Sequence, residues 1–299
     1  MFFYLLAGGY LRTGYILQQW HFILPHLLGA ALAGVSIAAQ ADGLPSVLSF
    51  EGGNDTLGNR DYYLDLDYAF VDESRLLASI ARNYFTSQNN SINTRNILLG
   101  FRTDPLEPLS VGVDLETWGK KGSLETDTLR VVIDINLQYW QLSLRPQWRT
   151  LTFDRDCIRP GCQEMKSTGT AFDVSYYTDG PWSFSLGFAR HQYDKKVELL
   201  ASQPRWQRQF SAAALNLSTG LEDRRHSVAA SYFSGDALWR FSWLKSISKV
   251  TGDASFVYIL RFSTDLSEQW RLRLRVGNQT LEKGRDPVGF AGAGLAYSW

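Results

Sequence analysis

Between residues 270 and 276 the chain reads Trp-Arg-Leu-Arg-Leu-Arg-Val. In an extended strand neighbouring side chains point to opposite faces. Arg271, Arg273 and Arg275 then share one surface, and Trp270, Leu272, Leu274 and Val276 share the other. Guanidiniums stacked along one strand are a fixed positive charge that is poorly screened in a confined space, which favours anions there. The same alternation turns Arg102, Arg130, Arg145 and Arg149 inward, together with the acids Asp65, Asp67, Asp114, Glu116, Asp134 and Asp173. Opposed acidic and basic rows across a lumen set up a transverse field that filters polar or charged solutes. The competing reading is that these residues pair with one another and only fill a narrow interior.

Other residue types that carry chemistry are sparse. Cys157 and Cys162 are the only cysteines, and the Pro160-Gly161 turn signal between them would bring the sulfurs together. In an exported chain they are expected as a disulfide. No histidine lies near enough in sequence to make them a metal site. His191 and His226 are the histidines that follow residue 41. His226 directly precedes Ser227, which puts the two on opposite faces, and His191 is followed by Gln192 and Tyr193. Structural or solvated roles are expected for both. No catalytic residue, metal or cofactor is assigned. A formal net charge of +0 without a basic domain gives no support for nucleic-acid binding.

The elements that must position the charges are strands of alternating polarity. Leu64, Leu66, Tyr68 and Phe70 oppose Asp65, Asp67 and Ala69; Leu109, Val111, Val113 and Leu115 oppose Ser110, Gly112, Asp114 and Glu116. The pattern recurs around Val131–Leu137, Trp140–Arg149 and Trp182–Ala189. A soluble sheet with one wet face produces such alternation, and so does a transmembrane barrel with lipid outside and a polar lumen inside. Three further features favour the barrel. Past residue 41 there is no apolar run near the roughly 18 residues of a spanning helix. Aromatic residues make up 14% of the chain, and many sit near strand ends (Tyr62, Tyr84, Phe85, Trp118, Trp140, Phe153, Trp182, Tyr193, Trp270), as two interfacial girdles would require. Finally, Arg12 is the only charged side chain before Asp42, and an apolar stretch from Phe22 to Ala38 leads into Ala39-Gln40-Ala41. Residues 1–41 therefore read as a signal peptide and 42–299 as one barrel domain.

Ala291, Ala293, Leu295, Tyr297 and Trp299 alternate back from the last residue. This resembles the terminal strand of Gram-negative outer-membrane β-barrel proteins, which ends on an aromatic residue. The resemblance implies that Leu295, Tyr297 and Trp299 are read by the barrel assembly machinery, and that the protein resides in the outer membrane of a Gram-negative bacterium. Phospholipase-like barrels of that membrane pair His and Ser two residues apart on one strand, a motif that neither His191 nor His226 matches.

The expected fold is all-β, a transmembrane antiparallel up-and-down barrel of about 14 strands, with 12 or 16 as the neighbouring even counts. Thirteen strands are expected from residue 61 onward, among them 209–219, with Ser46–Gly53 as the fourteenth. Residues 235–253 are expected as an outer excursion, and Gly220–Arg225 as a short periplasmic turn. Longer polar links at 86–95, 119–127, 154–168, 194–208 and 281–287 are expected outside. Lys195, Lys196, Arg205 and Arg208 suit the phosphates of lipopolysaccharide, which with outer-membrane lipid would be the surroundings of the barrel. The expected function is a narrow channel or an export component for polar or anionic solutes, the export role with a periplasmic partner. The alternative is an outer-membrane enzyme, or an adhesive or structural barrel, with its function in the extracellular loops.

Overall fold

Strict alternation needs a sheet with two different faces, and closing that sheet makes one face an interior. The computed structural model describes residues 45–299 apart from 72–73, 88–89, 121–123, 154–163, 195–221, 250–251, 253 and 282–285. Its strands are β1 (Val47–Asp55), β2 (Arg60–Val71), β3 (Ser74–Ser87), β4 (Asn90–Leu106), β5 (Leu109–Lys120), β6 (Leu124–Asn136) and β7 (Trp140–Phe153), followed by β8 (Glu164–Tyr177), β9 (Trp182–Tyr193), β10 (Glu222–Ser234), β11 (Ala237–Ser248), β12 (Ala254–Asp265), β13 (Trp270–Leu281) and β14 (Val288–Ser298). Each pairs antiparallel with its sequence neighbours, and β14 returns to β1 with Leu48 opposite Tyr297 and Gly52 opposite Ala293. The fourteen-stranded barrel is closed, so no strand edge is left to pair with another chain.

The register assigns the faces. Leu99, Leu115, Leu186, Leu274 and Val276 are large, apolar and exposed on the outside. Residues of the opposite parity, such as Asp114, Ser143, Ser183 and Gln279, are buried inside. Lipid can meet the first set and only a polar interior can accommodate the second.

Aromatic pairs ring the end of the barrel that holds the strand termini. Trp140 packs on Tyr176 (ring centroids 4.7 Å apart), Trp182 on Tyr232 (4.8 Å) and Trp270 on Tyr297 (4.9 Å). Each joins the first residue of an odd-numbered strand to the last turn of its neighbour, where amphipathic rings suit a lipid–water boundary. Trp118 departs from the expected girdle. It has the parity of Asp114 and Glu116, so it points inward and is buried. Tyr193 points inward for the same reason, with the parity of His191.

The strand count agrees with the sequence-based expectation, but two of the assignments behind it change. Residues 237–248 form the wall strand β11, in continuous register with β10 and β12, and not an outer excursion. Trp239, Phe241 and Trp243 face out while Arg240 and Ser242 face in, and Gly235, with φ of 58°, makes the tight turn that starts the strand. Residues 222–225 are strand and not part of a turn, since β10 begins at Glu222. The expected strand 209–219 lies outside the described residues, and β9 pairs directly with β10. The expected links 86–95 and 119–127 also shrink. β3 and β4 remain paired as far as Ser87 and Asn90, and β5 and β6 as far as Lys120 and Leu124. Where both faces of a strand meet water, its sequence loses the apolar alternation and reads like a loop. The ends of β7 and β9 and the starts of β8 and β10 lie at the end away from Val47 and Ser298, whereas 107–108 and 235–236 are tight connections at the other end.

Candidate functional site: the charged interior

On β4–β6 the inward charges form a closed lattice. Arg102 reaches Asp114 (2.7 Å), and Arg130 bridges Asp114 (3.2 Å) and Glu116 (2.9 Å). Asn96 donates a further hydrogen bond to Glu116 at 2.8 Å. Asp114 and Arg130 are directly opposed across β5 and β6, which is why they meet. Asp114 is 3% exposed, so two guanidiniums stabilise a carboxylate that has lost nearly all its water. Nearby, Asp67 pairs with Arg75 (2.7 Å), and Asp65 accepts a hydrogen bond from Ser79 (2.5 Å). Further round the wall, Arg145 meets Asp173 at 3.3 Å. Asp134 is less well served: its Oδ1 is buried with no hydrogen-bond partner among the described residues.

On β11–β13 the arrangement is different. Arg240 lies directly opposite Arg261, and Arg261 directly opposite Arg275, so three like charges stand in one cross-strand row. Like charges in that relation repel unless anions separate them. Glu51 acts on Arg261 as well, but of the three only Arg275 forms ion pairs among the described residues. It pairs with Glu51 and Asp61 and lies 5.3 Å from the centroid of the Tyr63 ring. Its reach depends on two glycines, because the row continues Arg275–Gly292–Gly53–Asp61 across β14 and β1. A Cβ at Gly292 would stand 2.6 Å from the Arg275 Nε, and one at Gly53 would stand 2.9 Å from Asp61 Oδ1. Among the described residues Arg240, Arg261 and Arg273 form no ion pair, and Arg240 Nε is buried without a hydrogen-bond partner.

The ladder Arg271–Arg273–Arg275 thus shares one face, but its outer members are occupied. Arg271 is held by Asp265 (2.6 Å) and Arg275 by the two acids named above. The unpaired positive charge runs across the strands, through Arg240 and Arg261, and bends to Arg273. Sequence reasoning missed Arg240 and Arg261, although each sits between two apolar residues: Trp239 and Phe241, Leu260 and Phe262. Extending the alternation through 238–247 and 254–263 places both inside. In the strand order β5 and β12 are half a circuit apart, so the Asp114 lattice and the arginine row face each other across the interior.

A second polar cluster lies at the end away from the termini. His191 is 2% exposed, its Nε2 lies 3.2 Å from Gln147 Nε2, and its ring covers Gly169. Glu222 accepts a hydrogen bond from Ser246 (2.9 Å) and lies 4.0 Å from His191. Tyr193 donates to the Glu222 carbonyl at 2.8 Å, and Arg149, 4% exposed, bonds to Tyr193. Ser246 therefore donates to the carboxylate and not to the imidazole, and no nucleophile–base pair is formed. His226 faces outward and packs edge-on against Phe188. A cavity of about 520 Å³ lies along β5–β8, lined by the outward Leu115, Leu129 and Trp148 and also by Glu116 and Arg149.

Leu295 and Tyr297 share the outward face of β14, and Trp299 follows its last residue. Residues 1–41, Cys157, Cys162, Lys195, Lys196, Arg205 and Arg208 lie outside the described residues.

No family model matches the sequence. No curated protein matches it either. Solved structures do match. The CymD monoaromatic hydrocarbon channel superposes with a TM-score of 0.52 at 10% identity, over 85% of this chain and 88% of that one. A loop-deletion mutant of OmpT, an outer membrane protein of Vibrio cholerae, gives 0.47 at 9% identity, over 85% and 98%. The KdgM porin gives 0.44 at 8% identity, over 85% and 99%. At such identities the likeness to CymD is one of fold, and the fold it shows is the closed outer-membrane-type β-barrel.

Proposed function

We propose that this barrel is an outer-membrane channel whose narrow interior passes small anionic solutes. The observation that carries the reading is the row Arg240–Arg261–Arg275, left without ion pairs at Arg240 and Arg261 among the described residues and faced by the acid-bearing wall of β4–β6. A fixed positive wall opposite a negative one produces a transverse field, and a confined charge enriches its counter-ion. The strand number is compatible with this. Eight-stranded barrels fill their interior with side chains and sixteen-stranded porins leave a water channel, so fourteen strands lined by arginines leave a constricted path. The outward apolar face and the aromatic ring at one end suit lipid, and the basic residues Lys195, Lys196, Arg205 and Arg208 suit lipopolysaccharide phosphate beyond it. The terminal strand, with Leu295, Tyr297 and Trp299, is what the barrel assembly machinery would engage.

Planar-bilayer recording in a salt gradient tests the reading. The wild type is expected to give stepwise currents with a reversal potential on the anion-selective side. The double variant Arg240→Gln/Arg261→Gln is expected to move it towards cation preference. Absence of any current from correctly assembled protein would overturn the channel.

A further inference from the structure

We infer that Arg240, Arg261 and Arg273 form a binding site for a short linear dicarboxylate within the interior. This deepens the channel reading and rests on it for the route by which the ligand arrives.

Among the described inward residues of β11–β13 the only acid is Asp265, and Arg271 already occupies it at 2.6 Å. The neighbours in register are small: Ser231 opposes Arg240, Ser263 opposes Arg273, and Gly294 flanks Arg273 on β14. Among the described residues no carboxylate forms an ion pair with the three guanidiniums, although Glu51, which Arg275 holds, also acts on Arg261. A cross-strand row of like charges is unfavourable in an empty barrel. It becomes favourable when an anion sits between the members, because a planar guanidinium fork offers two parallel donors to a carboxylate.

Spacing then sets the ligand. Directly opposed residues have Cα atoms about 5 Å apart, so Arg240 and Arg261 can close on one carboxylate from two sides. Arg273 is diagonal to Arg261, about 7–8 Å away, a distance suited to a second anionic group on the same molecule. Arg275 is not available as a fourth arm, since Glu51, Asp61 and the Tyr63 ring hold it against β1 and β2. It serves instead as a fixed boundary. The pattern is an L of three free forks, two for one end of a dianion and one for the other. A monocarboxylate fills one arm of the L, and inorganic phosphate places all its charge at a single point.

The test uses the full mature barrel with sodium succinate, sodium acetate and inorganic phosphate as probes, read in two ways. Calorimetric titration of the detergent-solubilised protein measures binding, and chloride current in a bilayer measures passage and its block. Succinate is expected to bind and to block saturably at concentrations at least about tenfold lower than acetate or phosphate, the scale of one charge-assisted bidentate contact. Arg261→Lys keeps the charge but loses the fork, and is expected to lose most of the preference for succinate over acetate. Arg271→Gln, whose side chain already belongs to Asp265, is expected to bind succinate as the wild type does. Chloride current with no succinate binding or block would overturn the site while leaving the channel. Succinate binding that depends on Arg261, in a protein that carries no current, would support the site and remove the channel. Equal affinity for the three probes, or tightest binding of phosphate, would overturn the dicarboxylate assignment in favour of a site for a single anionic group.

Discussion

The walls formed by β4–β6 and by β11–β13 are both densely charged, yet only the first is neutralised from within. Arg102 ends on Asp114, and Arg130 on Asp114 and Glu116, so both of these inward guanidiniums meet a carboxylate. On the opposite wall Arg240, Arg261 and Arg273 form no ion pair among the described residues, and Arg275 reaches across β14 to Glu51 and across β14 and β1 to Asp61. A formal net charge of +0 over the whole chain conceals this segregation. The first wall resembles a structural brace and the second a binding surface, and the two make opposite demands on mutation. Removing a charge should damage the brace, whereas it should relax the arginine row.

The largest effect is expected from Asp114→Ala. It strands the Arg102 guanidinium and leaves Arg130 with Glu116 alone, both side chains being about one-fifth exposed, and breaking a buried pair of this kind costs about 3–5 kcal/mol. Unfolding of the barrel in lipid, followed by tryptophan fluorescence, would measure it. A loss below about 1 kcal/mol would mean that the lattice is ornamental and the contrast between the walls is false.

Slightly smaller, and confined to the arginine wall, is the difference between the faces of β13. Leu274→Arg puts a charge on the exposed apolar face and should destabilise by about 2–4 kcal/mol, whereas Arg273→Leu on the inner face should be milder. The same unfolding assay compares them, and a reversed order would invert the face assignment for the whole sheet.

Gly292→Val addresses the link from the arginine wall to β1 and β2. Its side chain would occupy the space that the Arg275 guanidinium crosses on the way to Asp61, and overpacking of this kind costs about 1–3 kcal/mol. The variant should also free Arg275 to join the row, which bilayer recording would register as stronger anion preference. An unchanged preference would show that Arg275 remains tied to Glu51 alone.

Much of this arrangement was legible in the sequence. Alternation sufficed wherever lipid imposes it, so the strand bearing Arg271–Arg275 and the strands bearing Asp114 and Arg130 could be assigned by parity. It failed where lipid is absent. The polar extensions Ser87 and Asn90 pair as strand but carry no apolar rhythm, and the tight Gly235 turn hid the start of β11 behind an aromatic-rich stretch. Arg240 was lost with that strand. The pairing of individual charges was beyond reach for another reason. Which arginine meets which acid depends on the register between strands, and parity along one strand does not contain it. Arg271 and Arg273 look equivalent in sequence, yet one has Asp265 opposite it and the other has Ser263.

That register contrast makes the next prediction unusual in sign. Arg240→Gln/Arg261→Gln removes two charges without stranding any partner, so the barrel should be unchanged or more stable by about 1 kcal/mol, as relief of directly opposed like charges predicts. Equilibrium unfolding in low salt gives the clearest reading, because screening weakens the repulsion that the variant removes. A clear destabilisation would mean that the row is already neutralised in the folded barrel.

The smallest effect should come from Arg271→Gln. Arg271 and Asp265 meet at 2.6 Å, but their side chains are 51% and 37% exposed at the last residues of β12 and the start of β13, where water competes for both. Exposed pairs of this kind contribute little, and the Asp265 carboxylate left behind can be solvated in place. Stability should therefore be indistinguishable from wild type, and ion preference should move only slightly, because the Asp265 charge left behind is exposed and salt screens it. Arg273→Gln, one step along the same face, should shift the reversal potential. If the two variants shifted it equally, the ladder would be acting as a uniform column of charge along β13, and the distinction drawn between paired and free arginines would fail.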